Sequence, residues 1–275
     1  MAAQIHPTAL CVGAQLAPDV EVGAYSIIEG GARLGRGTRI ASHVSIASGA
    51  RIGEQVRVGT GGRIGSGCQV DDGVEIGAQA VVTEGVHIHV GARVLPGTVV
   101  SMSVPPHAIV EGSEAAITGY VDAGTDIAPL ANMTPQQSKE SRVKGVKVYE
   151  MRDIPDLRGA LSVGEFDKDL PFAPKRYFLV HDVASERIRG EHAHIRCQQF
   201  LICTHGACSL IADDGKNRQE FRLDRPNLGV YLPPMVWGIQ YKFTREAVLL
   251  VFASEHYDPK DYIRNYDEFL KAVSG

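Results

Sequence analysis

The sequence predicts an all-β protein of two architectures in tandem, a solenoid of six-residue repeats followed by a small antiparallel barrel or jelly roll. Three observations predict it. An aliphatic residue recurs every six positions without slip from Leu10 to Val100. Most of the glycines lie before residue 113. Beyond residue 143 the pattern changes to short apolar runs divided by turn-forming segments.

The repeat is read first, because a fixed period decides an architecture before local propensity does. The aliphatic series runs Leu10, Leu16, Val22, Ile28 and onward to Ile88, Val94 and Val100. Four places after each comes a small or β-branched side chain, as at Thr38, Val44, Ala50, Val56, Cys68 and Ala80. Glycine falls at the first or third place after the aliphatic residue, for example Gly35, Gly49, Gly53, Gly59, Gly65, Gly73, Gly77, Gly85 and Gly91. Corners requiring φ > 0 are expected there. A period of six matches neither the 3.6 of a helix nor the 2 of a plain strand. It fits one short strand plus one turn, with three units closing a triangular coil and coils stacked about 4.8 Å apart. Sixteen units give about five coils.

Residues 121–143 are polar and without sustained periodicity, so residues 1–120 and 144–275 are expected to be separate domains joined by a linker. From Val146 onward KRYFLVHDV, QQFLICTHG, ACSLIADDG, NLGVYLPP and AVLLVFAS read as strands. Asp213-Asp214-Gly215-Lys216 is a hairpin signal between two of them. Many short strands with such punctuation predict a barrel or jelly roll. Tyr262, Ile263, Tyr266, Phe269 and Leu270 recur at helical spacing and predict one short closing helix.

Composition excludes several classes. A net charge of -4 and a pI near 6.2 leave no basic footprint for nucleic acid or an anionic membrane. Cys11, Cys68, Cys197, Cys203 and Cys208 are odd in number and lack paired metal spacing, which predicts reduced thiols and a cytoplasmic protein. MAAQIHPTAL has no basic region leading into an apolar run, and no stretch approaches the length of a membrane span. Neither export nor membrane insertion is expected.

The residues that point to chemistry are Arg189-Gly190-Glu191-His192-Ala193-His194, followed by Gln198-Gln199. Residues two apart on a strand share a face, so His192 and His194 are expected to project together into the barrel. The pair stands where metal-binding cupins carry His-x-His. Those cupins add an acidic ligand and a further histidine, and this chain has Gln198 or Gln199 and Trp237 in those places. Two imidazoles and an amide make a poor divalent-metal site, so no metal is expected. The histidines are then available for proton transfer near neutral pH. In the repeat, His43 takes an outward place and is either a general base or an exposed, interface-packing residue. His87 and His89 flank inward Ile88 and are expected to face outward, without a third ligand for a metal.

Two family resemblances complete the reading. Residues 5–120, with IHPTA, GTRIASHVSI and the run from IGAQAVVTEGV to ITGYV, resemble the hexapeptide acyltransferase superfamily. The resemblance implies a left-handed parallel β-helix, a trimer, and acetyl-CoA in a groove beside Gly77, Ala78, Ala80, Gly97 and Thr98. Nucleotide-sugar members usually interrupt the helix with an acceptor-binding loop, which this sequence lacks. Residues 148–273 resemble the WxcM-like sugar 3,4-ketoisomerases, in DLRGALSVGEF, LPFAPKRYFLV, RGEHAHIRCQQFLI, PPMVWGIQY, VLLVFASEHYD and DYIRNYDEFL. That resemblance implies a C-terminal cupin (jelly-roll) barrel that forms dimers, needs no cofactor and moves the keto group of dTDP-4-keto-6-deoxyglucose to carbon 3. His194 is then the expected base and His192 the partner carrying protons to the oxygens. Arg189 and Tyr177 would stabilise the enediolate, and Arg176 or Arg189 would hold the diphosphate. Gln199 belongs to the same polar set. Trp237 and Tyr231 would line the sugar or stack on thymine, and Arg158 would influence the product, with galacto favoured. The combined expectation is an isomerase fused to a sugar N-acetyltransferase, hexameric if trimers and dimers coexist; the alternative keeps the isomerase and makes the helix a trimerisation scaffold. Stoichiometric iron or manganese would instead mark a metal-dependent oxygenase.

Overall fold

The computed structural model describes residues 2–121, 137–166, 168–184 and 187–274. The chain separates into two compact units that divide after residue 122. Most of the expected linker, 122–136, lies outside the described residues. Its last part does not behave as linker: Gln137–Glu140 is a strand antiparallel to Lys147–Glu150.

The first unit is a triangular solenoid of two-residue strands. Strand residues from Gln15 to Val82 pair in parallel with the one 18 positions on, as in Arg39↔Arg57 and Ile40↔Val58, while the end pairs Gln4↔Glu21 and Arg93↔Ile109 are closer in sequence. The three walls are parallel sheets, two of them five strands deep, and the third ends in an antiparallel strand, Ala116–Tyr120. The inward member of each pair is the aliphatic residue of the repeat: Ile28, Ile46, Ile64, Val82 and Val100 stack in one wall and are all buried. Burial of each side chain contributes about 1.5–3 kcal/mol. The first repeat is the exception, since Leu10 is 58% exposed and makes only an isolated bridge to Ile27.

The glycines serve two purposes rather than one. Gly49 has φ +73, as a left-handed corner requires. Gly77 is different, because a Cβ there would sit 2.4 Å from the backbone nitrogen of Pro96 on the next coil. The same close approach, not φ > 0, explains Gly35, Gly53, Gly59 and Gly65. Tyr25, His43 and Gln79 occupy the left-handed corner position with side chains intact.

The second unit packs two antiparallel sheets face to face. One has the order Gln137–Glu140, Lys147–Glu150, Leu228–Leu232, Gln199–His205, Val248–Ala253, Arg176–Val180. The other runs Arg218–Leu223, Cys208–Asp213, Trp237–Tyr241, Arg189–His194, Tyr262–Ile263. Val148, Leu201, Val230 and Leu249 from the first meet Leu210, Ala212, Phe221 and Leu223 from the second in a common core. A hairpin, Arg152–Asp156 with Gly159–Val163, stands apart as its own two-stranded sheet. The helix Tyr266–Val273 starts at Asn265, whose side chain accepts from the amide of Glu268. Among the described residues no helix is long and apolar enough to cross a membrane.

Candidate active site

His192 and His194 reach the same side of their strand, but through an irregular route. Gly190 pairs with Ile239 and His192 with Gly238, so Glu191 is an extra residue in a bulge, with φ 55. Gly190 is obligatory here: a Cβ would lie 2.5 Å from the carbonyl oxygen of Gly238. The bulge turns His192 so that its Nδ1–H donates to the Gly190 carbonyl at 2.8 Å. That bond leaves Nε2 as the lone-pair nitrogen.

His194 is held from both ends of its ring. Nδ1 donates to Oδ2 of Asp261 at 2.9 Å, and Nε2 meets the side-chain nitrogen of Gln199 at 3.1 Å. Asp261 is itself buried and accepts from the backbone amides of Arg196 and Cys197 at 2.8 and 3.2 Å. With both Asp261 oxygens accepting, His194 Nδ1 is the donor in its bond to Oδ2, and Gln199 is the donor to Nε2. A ring nitrogen of His194, Cys197 Sγ and a carboxylate oxygen of Asp261 lie within 4.8 Å of one another. The oxygens already receive three N–H donors, which suits an orienting carboxylate better than a metal ligand.

Burial sets the protonation state. It pushes the pKa of His192 down to about 4, aided by the charges of His194 and Arg264 against the bond to Gly190. Burial also lowers His194, opposed by Asp261 and reinforced by the positive charges of Arg176 and Arg264. Both imidazoles are therefore neutral at pH 7 and able to accept a proton.

Aromatic and cationic groups gather around the pair. Tyr262 packs on both rings, with centroids 4.8 Å from His192 and 4.4 Å from His194. The Arg264 guanidinium lies over Tyr262 at 4.4 Å, and that of Arg176 over Tyr257 at 5.5 Å. Arg176 Nε is buried without a hydrogen-bond partner among the described residues, so one donor of a cation beside His194 is unused. On the inner side Leu232, Pro233, Val236, Gly238 and Gln240 close around a cavity of about 10 Å³, room for a single water.

Several expected site residues lie elsewhere. Trp237 is opposite Ala193, one residue out of phase with the histidines, so its ring faces the other side of the sheet. There it packs on Tyr266 and Phe269 at 5.2 and 5.5 Å. Tyr177 alternates away from Arg176 and is 67% exposed. Arg189 precedes the bulge and its side chain is exposed. Tyr231 donates to Gln198 at 2.8 Å and packs against Phe172, outside the central core. Arg158 sits at the tip of the separate hairpin and pairs with Asp156 at 2.6 Å.

In the solenoid, Gly77, Ala78, Ala80, Gly97 and Thr98 fall along one corner, but Ala80 and Thr98 are fully buried. They point into the solenoid and present no side chain to a groove. His43 lies on the same corner and stacks on Tyr25, with centroids 5.2 Å apart. His89 is covered, at 4% exposed, with its ring 3.7 Å from that of His87 and its Nδ1 3.6 Å from Asp71.

Asp261, Tyr262 and Arg264 are the site residues that sequence reasoning missed. Helical spacing places Tyr262 and Ile263 in the closing helix, whereas they form a strand paired to Ala193 and His194.

Comparison with known proteins gives the same region an identity. Residues 144–274 match the family described as FdtA: WxcM-like, C-terminal. A TDP-4-oxo-6-deoxy-alpha-D-glucose-3,4-oxoisomerase from Aneurinibacillus thermoaerophilus is 42% identical over 128 residues, covering 46% of this chain and 92% of the relative. Among solved structures, a 3,4-ketoisomerase from Helicobacter canadensis is 37% identical, with 48% of this chain and 98% of that one covered and a TM-score of 0.46. The WlaRB TDP-quinovose 3,4-ketoisomerase from Campylobacter jejuni is 42% identical, with 47% and 99% covered and a TM-score of 0.45. Through its second unit, the chain belongs to the WxcM-like, FdtA family.

Proposed function

We propose that the second unit is a dTDP-4-keto-6-deoxyglucose 3,4-ketoisomerase and that His194 is its base. The observation that carries this reading is the His194–Asp261 bond, which presents a neutral imidazole with Nε2 as its basic atom. The carbon-3 hydrogen is acidified by the ketone at carbon 4. Its proton passes to Nε2 as the Gln199 amide moves aside, and the electron pair forms the carbon 3–carbon 4 double bond of an enediolate. The carbon-3 hydroxyl proton moves to the carbon-4 oxygen, and the His194 imidazolium, in exchange with solvent, returns a proton to carbon 4, which completes the isomer. His192, whose Nε2 carries a lone pair, moves protons between the oxygens. The positive charges of Arg176 and Arg264 offset the enediolate and attract the diphosphate. No step requires a redox cofactor or a metal. Incubating the full chain with the substrate tests this, through appearance of the 3-keto isomer.

The first unit we read as the acetyl-CoA-dependent N-acetyltransferase for the dTDP-3-amino-3,6-dideoxyhexose that amination of this product yields, within the cytoplasm. Its least charged wall, with Ile27, Ser45, Arg63, Val81 and Val99 outward, is the trimer face. Pairing of second units over the hairpin, where Ile154, Leu157 and Leu161 are exposed, builds a hexamer and gives Arg158 its route to influence the product. A second reading, the solenoid as a scaffold, is favoured by the burial of Ala80 and Thr98 and the Tyr25–His43 stack. Calorimetric titration with acetyl-CoA separates the two: heat of binding supports the transferase, and none supports the scaffold.

A further inference from the structure

The solenoid holds a cluster that neither reading uses. Asp71 and His89 take the same corner position on consecutive coils, and His87 is the outward residue of the strand between them. Pairing of Gln69 with His87 and Val70 with Ile88 locks the two coils together, and the Asp71 amide donates to the Ile88 carbonyl at 2.9 Å. Three side chains converge as a result. Oδ2 of Asp71 lies 3.0 Å from Nε2 of His87 and 3.6 Å from Nδ1 of His89, with all three ligand atoms within 4.8 Å of one another.

We propose that Asp71, His87 and His89 form a binding site for one divalent transition-metal ion of the zinc class. Two imidazoles and a carboxylate are a common zinc donor set. Ligand atoms about 2.0–2.1 Å from a tetrahedral ion stand about 3.3 Å apart, and the observed 3.0 and 3.6 Å bracket that spacing. The two rings lie only 3.7 Å apart, close enough for one ion to be shared by both imidazoles and the carboxylate. The other oxygen of Asp71 is oriented by a 3.1 Å bond from Gln69 Nε2, the kind of outer support that metal carboxylates receive. A hollow of about 440 Å³, lined in part by Arg51, Gln69 and Asp72, opens beside Asp71. Sequence spacing alone showed a histidine pair without a third ligand, because Asp71 is 16 residues before His87.

The test is Co²⁺ binding to the full chain after treatment with a chelator. Wild type is expected to take up one Co²⁺ with visible tetrahedral d–d bands that Zn²⁺ displaces. Asp71→Asn and His87→Ala, both at partly exposed positions, are expected to weaken binding at least tenfold with unchanged far-UV spectra. His194→Asn is expected to retain the bands, which separates this site from the His194, Cys197 and Asp261 cluster. The proposal is overturned if wild type retains neither Co²⁺ nor Zn²⁺ at one equivalent, if the two solenoid variants bind like wild type, or if His194→Asn removes the bands.

Discussion

His194 Nδ1 donates to Asp261 Oδ2 at 2.9 Å across 67 residues of sequence, and both side chains are buried. The bond selects the tautomer that leaves Nε2 basic. Asp261→Asn removes this selection, because an amide can offer its own N–H to the ring. By analogy with a serine-protease triad, kcat is expected to fall roughly 10²–10⁴-fold with KM little changed. Steady-state kinetics of the variant check this; unchanged kcat would show that the dyad has no part in the chemistry.

Burial of His192 makes the second unit sensitive to acid. The folded ring titrates near 4 and the unfolded one near 6.5. Between these values the unfolded chain binds a proton that the folded chain refuses, so unfolding becomes easier as pH falls. The contribution is complete above about pH 6.5 and declines toward pH 4, amounting to about 3 kcal/mol over that interval. Urea titrations at pH 7.5, 6 and 5 are expected to show the decline, and His192→Asn to flatten it.

Trp237 is the single tryptophan, and its position behind the sheet predicts a structural role. Trp237→Ala is expected to cost about 3–5 kcal/mol of stability, whereas Trp237→Phe keeps kcat/KM within about threefold when assayed well below its melting temperature. A large loss of kcat/KM in a folded Trp237→Phe enzyme would return the ring to the substrate site.

Arg176 supplies a cation beside His194 with an unused buried donor. Loss of a charge-assisted hydrogen bond costs about 1.5–3 kcal/mol, so Arg176→Met is expected to raise KM for the nucleotide sugar roughly 10–100-fold. Binding of dTDP by calorimetry should weaken in parallel. Equal affinities would assign the diphosphate to another group.

The solenoid was legible because its period is local: each hexad declares which residue turns inward, and Val22 through Val100 do so. Glycine was only half legible, since a sequence does not distinguish the φ of Gly49 from the close approach at Gly77. At the candidate active site, strand alternation paired His192 with His194 correctly although a bulge intervenes. The same alternation could not place Trp237, whose phase depends on its register with Ala193. Asp261 and Asp71 were invisible for one reason, that they meet their histidines only when distant chain segments pair. Arg176 was recognised as a candidate, but its choice over Tyr177 rests on which of two neighbours turns inward.

The proposed role of His194 is to take the carbon-3 proton of a 4-keto sugar nucleotide. The most direct measurement is NMR of dTDP-4-keto-6-deoxyglucose incubated with the full chain in deuterated buffer, beside the His194→Asn variant. A 3-keto sugar carrying deuterium at carbon 4 is expected with wild type and essentially none with the variant. Unchanged substrate with wild type, or undiminished isomerisation by His194→Asn, would contradict it.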